Sequence, residues 1–165
     1  MNDEKYRILD EKSISMRGAI IARTIEVEML IDKYLSYYFC ENFSRAEQLT
    51  ELVLCSDRLS FNSKVEILLS LLKNNNEEFY NSNKIFVKKM LEIGPDRNVF
   101  AHSINLTHDD EGNVLDSDVI GFERFKAGKI QSKFFTEDDI KSMKDDISFL
   151  ILKLIDLIKS TKLMK

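Results

Sequence analysis

The stretch SISMRGAIIARTIEVEMLIDKYLSYYFC, residues 13–40, holds no proline and one glycine, and its apolar residues recur at helical spacing. One stripe runs through Ile14, Gly18, Ile21, Ile25 and Met29. A second runs through Met16, Ile20, Val27, Leu30/Ile31, Tyr34 and Tyr38. An amphipathic surface helix needs only one such stripe. Two stripes mean burial on more than one side: this is either the central helix of a bundle or one that also faces a partner subunit. In both cases the fold is mainly α.

Upstream, residues 1–12 are charged and begin the same helix loosely. Downstream, Ser44-Arg-Ala-Glu47 has the capping-box pattern and predicts a short helix to about Leu54. Ser63-Lys-Val-Glu66 repeats the pattern before VEILLSLLK, a helix ending at Asn74–Asn76. A helix from about Ser82 to Ile93 places Phe86, Met90 and Ile93 on one face. Gly94-Pro95 predicts a break or sharp kink, because proline lacks an N–H and crowds the preceding turn. Helix then resumes over Asp96–His102. Residues 107–118, THDDEGNVLDSD, read as an acidic loop. VIGFERFK and KIQSKFF flank Ala127-Gly128 as the strands of a β-hairpin. Thr136-Glu-Asp-Asp139 is a third capping box, and it opens a final helix to about Leu163 along Ile140, Met143, Ile147, Leu150/Ile151, Leu154 and Ile158. The expected architecture is a mainly α bundle of about five helices with a β-hairpin before the last helix, in one domain over residues 1–165.

Composition agrees with that picture and narrows the function. The chain has 165 residues, 44% hydrophobic and 32% charged, with five glycines and one proline. That is globular composition with a helical bias. A net charge of −4 gives no overall basic footprint, so contact with a nucleic acid has to rest on a local patch. The N-terminal residues lack the apolar core of a secretory signal. The longest apolar run, ISFLILKLIDLI at 147–158, is interrupted by Lys153 and Asp156 and is too short to span a bilayer. A cytoplasmic protein with no membrane association is expected, its Cys40 and Cys55 reduced and buried.

Chemistry concentrates in DRNVFAHS, residues 96–103. Asn98 and His102 are four apart and share a helix face. Arg97 and His102 are five apart, roughly 140° round the helix at about 100° per residue. One copy therefore does not aim both at one point, whereas two copies on a two-fold axis can each supply an Arg and a His to a shared cleft. Such a cleft suits RNA cleavage without a metal. Histidine can take a proton from the ribose 2′-OH or give one to the leaving 5′-oxygen. Arginine holds the phosphate while negative charge grows on it, and Asn98 supports either group. The alternative assigns His102 to capping or packing and Arg97 to an ion pair with Asp96 or Glu92.

In its setting RNVFAHS resembles the R-x4-6-H motif of the HEPN superfamily, in particular mannitol operon repressor-like proteins and related short bacterial HEPN domains. RGAIIARTIEVEMLIDKYL in the first helix and LSFNSKVEILLSLL in the middle carry the likeness with it, over about residues 15–105. The resemblance implies a helical, homodimeric fold with two motif helices lining a cleft on the axis. It implies, further, a metal-independent endoribonuclease used as a toxin or in phage defence, with an antitoxin or regulatory protein as a possible second partner. Arg97 and His102 match the key positions, and Asn98 the frequent polar one. One branch carries a tyrosine two residues after the histidine; here that position is Ile104, so modification by a partner enzyme is not expected. The mannitol repressor-like members are regulators, which makes a non-catalytic protein-binding or transcription-regulatory module the alternative function.

Other polar residues carry weaker signals. Glu26 can orient Arg97 or His102 across the bundle, or pair with Arg23 one turn earlier. Lys84, Lys88 and Lys89 on the motif's arm, or Lys126, Lys129 and Lys133 on the hairpin, can track a phosphate backbone. The alternative is an ordinary solvated lysine face. His108 with Asp109, Asp110, Glu111, Asp116 and Asp118 lacks the alternating ligands of a calcium loop and reads as a solvated turn. Neither a metal nor a cofactor is expected.

Overall fold

In the computed structural model the described residues are 2–55, 59–108, 111–116 and 118–163. Helix α1 spans Asn2–Phe39, α2 Phe43–Leu49, a π-helical turn Thr50–Leu54, α3 Phe61–Asn75, α4 Glu77–Ser82 and α5 Lys84–His102. Strands β1 (Ile104–Leu106), β2 (Val119–Lys126) and β3 (Lys129–Thr136) precede α6 (Glu137–Leu163). The chain is mainly helical, with the strands before the last helix. No described helix is long and apolar enough to cross a membrane. The described residues form two compact units, one from 1–23 and 95–145, the other from 24–94 and 146–165.

The stripe pattern of α1 resolves into an inner and an outer set. Ile20, Val27, Ile31 and Tyr34 of the second stripe are buried. Of the first stripe, Ile14 (56%), Ile25 and Met29 (66%) are exposed, and a Cβ at Gly18 would meet nothing within 4 Å. The chain thus buries residues of one stripe and leaves residues of the other exposed.

In the first unit the three strands pair antiparallel in the order β1-β2-β3. Ile120 opposes Phe135, Phe122 opposes Lys133, and Arg124 opposes Gln131. Alternation puts these three pairs on one face. Phe100 of α5 seats on that face, with ring centroids 5.0 Å from Phe122 and 4.9 Å from Phe135. All three rings are buried and meet edge-on or tilted, the arrangement aromatic quadrupoles favour. Gly121 is needed where it stands: a Cβ there would come within 2.9 Å of Leu106 Cβ and 3.0 Å of Leu115 and Phe134. Strand β1, directly after α5, was not expected from the sequence. Its three residues are too few to show a period, and they pair with Gly121–Glu123.

In the second unit α3 lays Phe61, Lys64, Val65, Leu68 and Leu72 inward. Lys64 is 3% exposed and donates to Glu28 Oε1 at 2.7 Å and Asp32 Oδ2 at 2.8 Å, both on α1. Burial works to lower the Lys64 pKa, but the hydrogen bonds and charges of the two carboxylates outweigh it and hold the ammonium above the ordinary lysine value. Burial pushes the Asp32 carboxyl above the usual carboxylate range despite Lys64.

Several expected boundaries move. Asn42, not Ser44, caps α2 by accepting from the Arg45 N–H, and Ser60, not Ser63, caps α3 by accepting from the Ser63 N–H. Each true cap lies two or three residues earlier, where an Asn or Ser in extended backbone meets the first free N–H groups. Gly94-Pro95 does not interrupt α5, which runs through with Pro95 inside. Gly94 instead answers a packing need, since a Cβ there would strike the Asn62 side chain. The described helices are six plus the π-helical turn, in keeping with the expected bundle of about five helices and a late hairpin. Part of the 107–118 loop pairs, His108 bridging Val114, while 109, 110 and 117 lie outside the described residues. Cys55 is exposed and Cys40 half-buried, and both are free thiols.

The Thr136 box forms as expected. The Thr136 hydroxyl accepts from the Asp139 N–H at 3.2 Å, and Asp139 Oδ2 accepts from the Thr136 N–H at 2.8 Å. Those bonds to Thr136, backbone first, hold the Asp139 carboxyl below its ordinary value, with Lys133 adding to the effect. A depressed carboxylate stabilises the fold at pH above the ordinary Asp value of 3.8 and loses that contribution as the pH falls through the lowered pKa. Asp139→Asn is expected to lower the melting temperature at pH 7 and to flatten its decline in acid, read by circular dichroism melts between pH 7 and 2.5. The hairpin makes a second prediction. Ala127 (φ 52°) and Gly128 (φ 77°) both sit left-handed, as a two-residue turn between twisted strands requires. Alanine is disfavoured there. Ala127→Asn is expected to stabilise the protein by about 1 kcal/mol in urea unfolding, and Ala127→Val to destabilise it.

Candidate functional site

The motif occupies the last two turns of α5 in the first unit. These turns are held by Phe100 and Val99, both buried. Phe100 points into the aromatic cluster, so Asn98 and His102, at about 160° on either side of it, turn to the other face. Arg97 and Asn98 are half-buried, and Arg97 Nη1 donates to Asn98 Oδ1 in a long hydrogen bond of 3.4 Å. His102 is exposed in the final turn, and its side chain makes no hydrogen bond among the described residues. Asp96 does not pair with Arg97. Its Oδ1 accepts from Lys133 Nζ at 2.7 Å, and that ammonium also lies 4.9 Å from the Phe135 ring centroid.

Beside the motif, on the sheet side of the same turns, lies a cavity of about 400 Å³. Val99 of α5 and Ser103, the residue after that helix, form one wall, and Phe122, Arg124, Gln131, Ser132 and Lys133 of the hairpin form the other. Ser103 is buried, and its hydroxyl has no hydrogen-bond partner among the described residues. Behind it, Arg17 of α1 donates to the Ser103 carbonyl and stacks 5.1 Å from the Phe122 centroid. Two cations, the Ser132 hydroxyl and the Gln131 amide thus belong to the residues that line one recess, with Asp96 the carboxylate bonded to one of those cations. On an acidic chain this is a local cationic site able to hold a phosphate.

Glu26, Lys84, Lys88 and Lys89 fall in the second unit, and the hairpin lysines in the first. Glu26 is half-buried on α1. Lys84 donates to Asn81 Oδ1 at 2.7 Å and lies 4.7 Å from the Tyr80 ring centroid. Lys88 stands 3.8 Å from Glu92, and Lys89 pairs with Asp146. Of the hairpin lysines, Lys133 enters the recess, Lys129 is exposed at the turn, and the Lys126 side chain lies outside the described residues.

Sequence reasoning missed Arg124, Gln131 and Ser103. Arg124 was legible in principle, since it interrupts the inward alternation Ile120-Phe122 with a charge. No signal marked Ser103, whose burial depends on β1 following the helix at once. Among the described residues no group of three or more His, Cys, Asp or Glu could hold a metal ion. Comparison with family models, with curated proteins and with solved structures returned no match, so the reading of this site rests on its residues.

Proposed function

We propose that this protein is a metal-independent endoribonuclease of HEPN type, acting in the cytoplasm as a toxin or phage-defence effector. Its active site is shared by two copies of the chain. One His102 takes the proton from the ribose 2′-OH, the 2′-oxygen attacks phosphorus, and the bond to the 5′-oxygen breaks. A water protonates the departing 5′-oxygen and the hydroxide so formed takes the proton from the imidazolium, leaving a 2′,3′-cyclic phosphate and a free 5′-hydroxyl, while Arg97 of the second copy faces the same phosphate. Arg97 neutralises the charge that accumulates on the phosphate, and Asn98 positions the Arg97 guanidinium.

The observation that carries this reading is the position of the motif. Arg97, Asn98 and His102 sit on the last turns of α5, and Val99 of those turns and the adjoining Ser103 line the cationic recess with Arg124 and Lys133. RNA crossing the motif has a phosphate site within one helical turn. The outward stripe of Ile14, Ile25 and Met29 supports a second copy packing on α1, since apolar side chains in such a row are unfavourable in water.

Wild-type protein in excess EDTA is expected to cleave mixed cellular RNA to fragments with cyclic phosphate ends. Arg97→Ala and His102→Ala are expected to lower the rate by at least about 100-fold with the fold intact. Arg124→Ala is expected to weaken RNA binding and to reduce its log–log salt slope by about one. Absence of cleavage by a folded dimer with RNA in excess would assign the chain to the non-catalytic, regulatory class instead.

A further inference from the structure

The face of the sheet turned away from Phe100 carries an apolar surface that the chemistry above does not use. Register places Gly121 opposite Phe134 and Phe125 opposite Ile130, with Glu123 between them on β2 and Ile104 beside Glu123 on β1. Alternation puts these residues on the face opposite to Phe122 and Phe135. Phe125 is 76% exposed and Ile130 66%, and Ile104 is exposed as well. Phe134 lies against Gly121, where an added Cβ would come within 3.0 Å of its ring, and is still 39% exposed. Aromatic rings grouped in water on one sheet face are unfavourable unless something covers them.

Charge indicates what covers them. Residues 119–136 contain Arg124, Lys126, Lys129 and Lys133 against one carboxylate, Glu123, in a chain of net charge −4. Along β3 the two kinds of residue alternate: Lys129 and Lys133 belong to the Phe122 face, Ile130 and Phe134 to the other. Strand β3 ends the sheet order, so both sets meet along one open edge. Glu123 stands one strand inward from that edge. A nucleotide has the matching duality, a flat apolar base beside an anionic phosphate. An apolar protein partner would cover the rings and leave the cations unanswered, and a duplex would meet the cations while hiding its base faces. From Ile130, opposite Phe125, to Phe134 the chain advances about 13 Å at roughly 3.3 Å per residue. Aromatic side chains on an exposed sheet stack about two or three bases in this way.

We propose that this face of the hairpin is a stacking platform for single-stranded RNA, with one base on Phe125, one on Phe134 and the backbone following the cations along the β3 edge. This rests on RNA being what the protein acts on, and it narrows the substrate to unpaired strands. Phosphates that turn over the edge meet Lys129 at the turn, and Lys133 and Arg124 at the recess. Stacking is tolerant of sequence because every base has a π-face, so strands are selected for being unpaired rather than for a particular order of bases.

The test uses the full chain with His102→Ala, which keeps the probe intact, and a labelled RNA strand of about 12 nucleotides without self-complementarity, read by fluorescence anisotropy in excess EDTA. The strand is expected to bind, and the same strand annealed to its complement to bind at least about tenfold more weakly. Phe125→Ala and Phe134→Ala are each expected to weaken the single strand at least about fivefold and to leave the log–log salt slope unchanged, since neither removes a charge. The chain contains no tryptophan, so Phe125→Trp supplies a lone indole, whose fluorescence is expected to be quenched as the strand binds. Phe125, close to the hairpin turn and largely exposed, keeps the test valid where Phe134→Ala unfolds the sheet. Wild-type affinity in the Phe125→Ala protein, unquenched indole with RNA bound, or equal binding of the duplex would each overturn the proposal. Loss of self-association by Phe125→Ala with RNA affinity unchanged would overturn it too, marking a protein-binding face. Cleavage of RNA in EDTA together with any of these results would leave the nuclease standing without the platform. Binding and quenching by a chain that never cleaves would uphold the platform and remove the nuclease.

Discussion

Lys64 is the constraint around which the second unit is arranged. Its ammonium is buried between Glu28 and Asp32, at 2.7 and 2.8 Å, and ties the first turn of α3 to α1. Hydrophobic contacts along α3 tolerate sliding, but a buried cation with two hydrogen-bonded carboxylates has one register. Removing one partner of such a cluster costs about 3–5 kcal/mol, because the remaining charge stays out of water. The same cluster leaves a charge over. A lysine against two carboxylates is asymmetric, and the asymmetry falls on Asp32, whose Oδ1 accepts no hydrogen bond among the described residues.

In the first unit the corresponding constraint is aromatic. Phe100, Phe122 and Phe135 fix the last turns of α5 against the sheet. That contact decides what the motif can do. With Phe100 and Val99 inward, Asn98 and His102 face away from the sheet, while Ser103 faces the hairpin's polar end at Arg124 and Gln131. Asn98 and His102 are thus on one side of the helix end, and the recess lined by Val99 and Ser103 is on the other.

The mainly α class and the late hairpin were legible because their signals are local and periodic. The stripes on α1, the Thr136–Asp139 box and the Ala127-Gly128 turn each lie within one element. Lys64 was passed over, although it stands three residues after Phe61 and four before Leu68, at a core position of α3. What escaped depends on distant pairing. Strand β1 shows itself only against β2, and the burial of Ser103 follows from that pairing. The cap at Ser60 was hidden by a second serine three residues on, and Pro95 stays within α5. The residues of the candidate site were readable as types, but the recess beside them was not, because it is built from two elements about thirty residues apart.

The central claim is that Arg97 of one copy works with His102 of another, as expected of residues about 140° apart on one helix. Mixing the Arg97→Ala and His102→Ala proteins under conditions that exchange subunits tests it directly. In the mixed dimer one composite site keeps an intact Arg97 from one chain and an intact His102 from the other. The account predicts that the mixture recovers a substantial fraction of wild-type RNA cleavage although neither protein cleaves alone. Mixed dimers that form and yet remain inactive would contradict it.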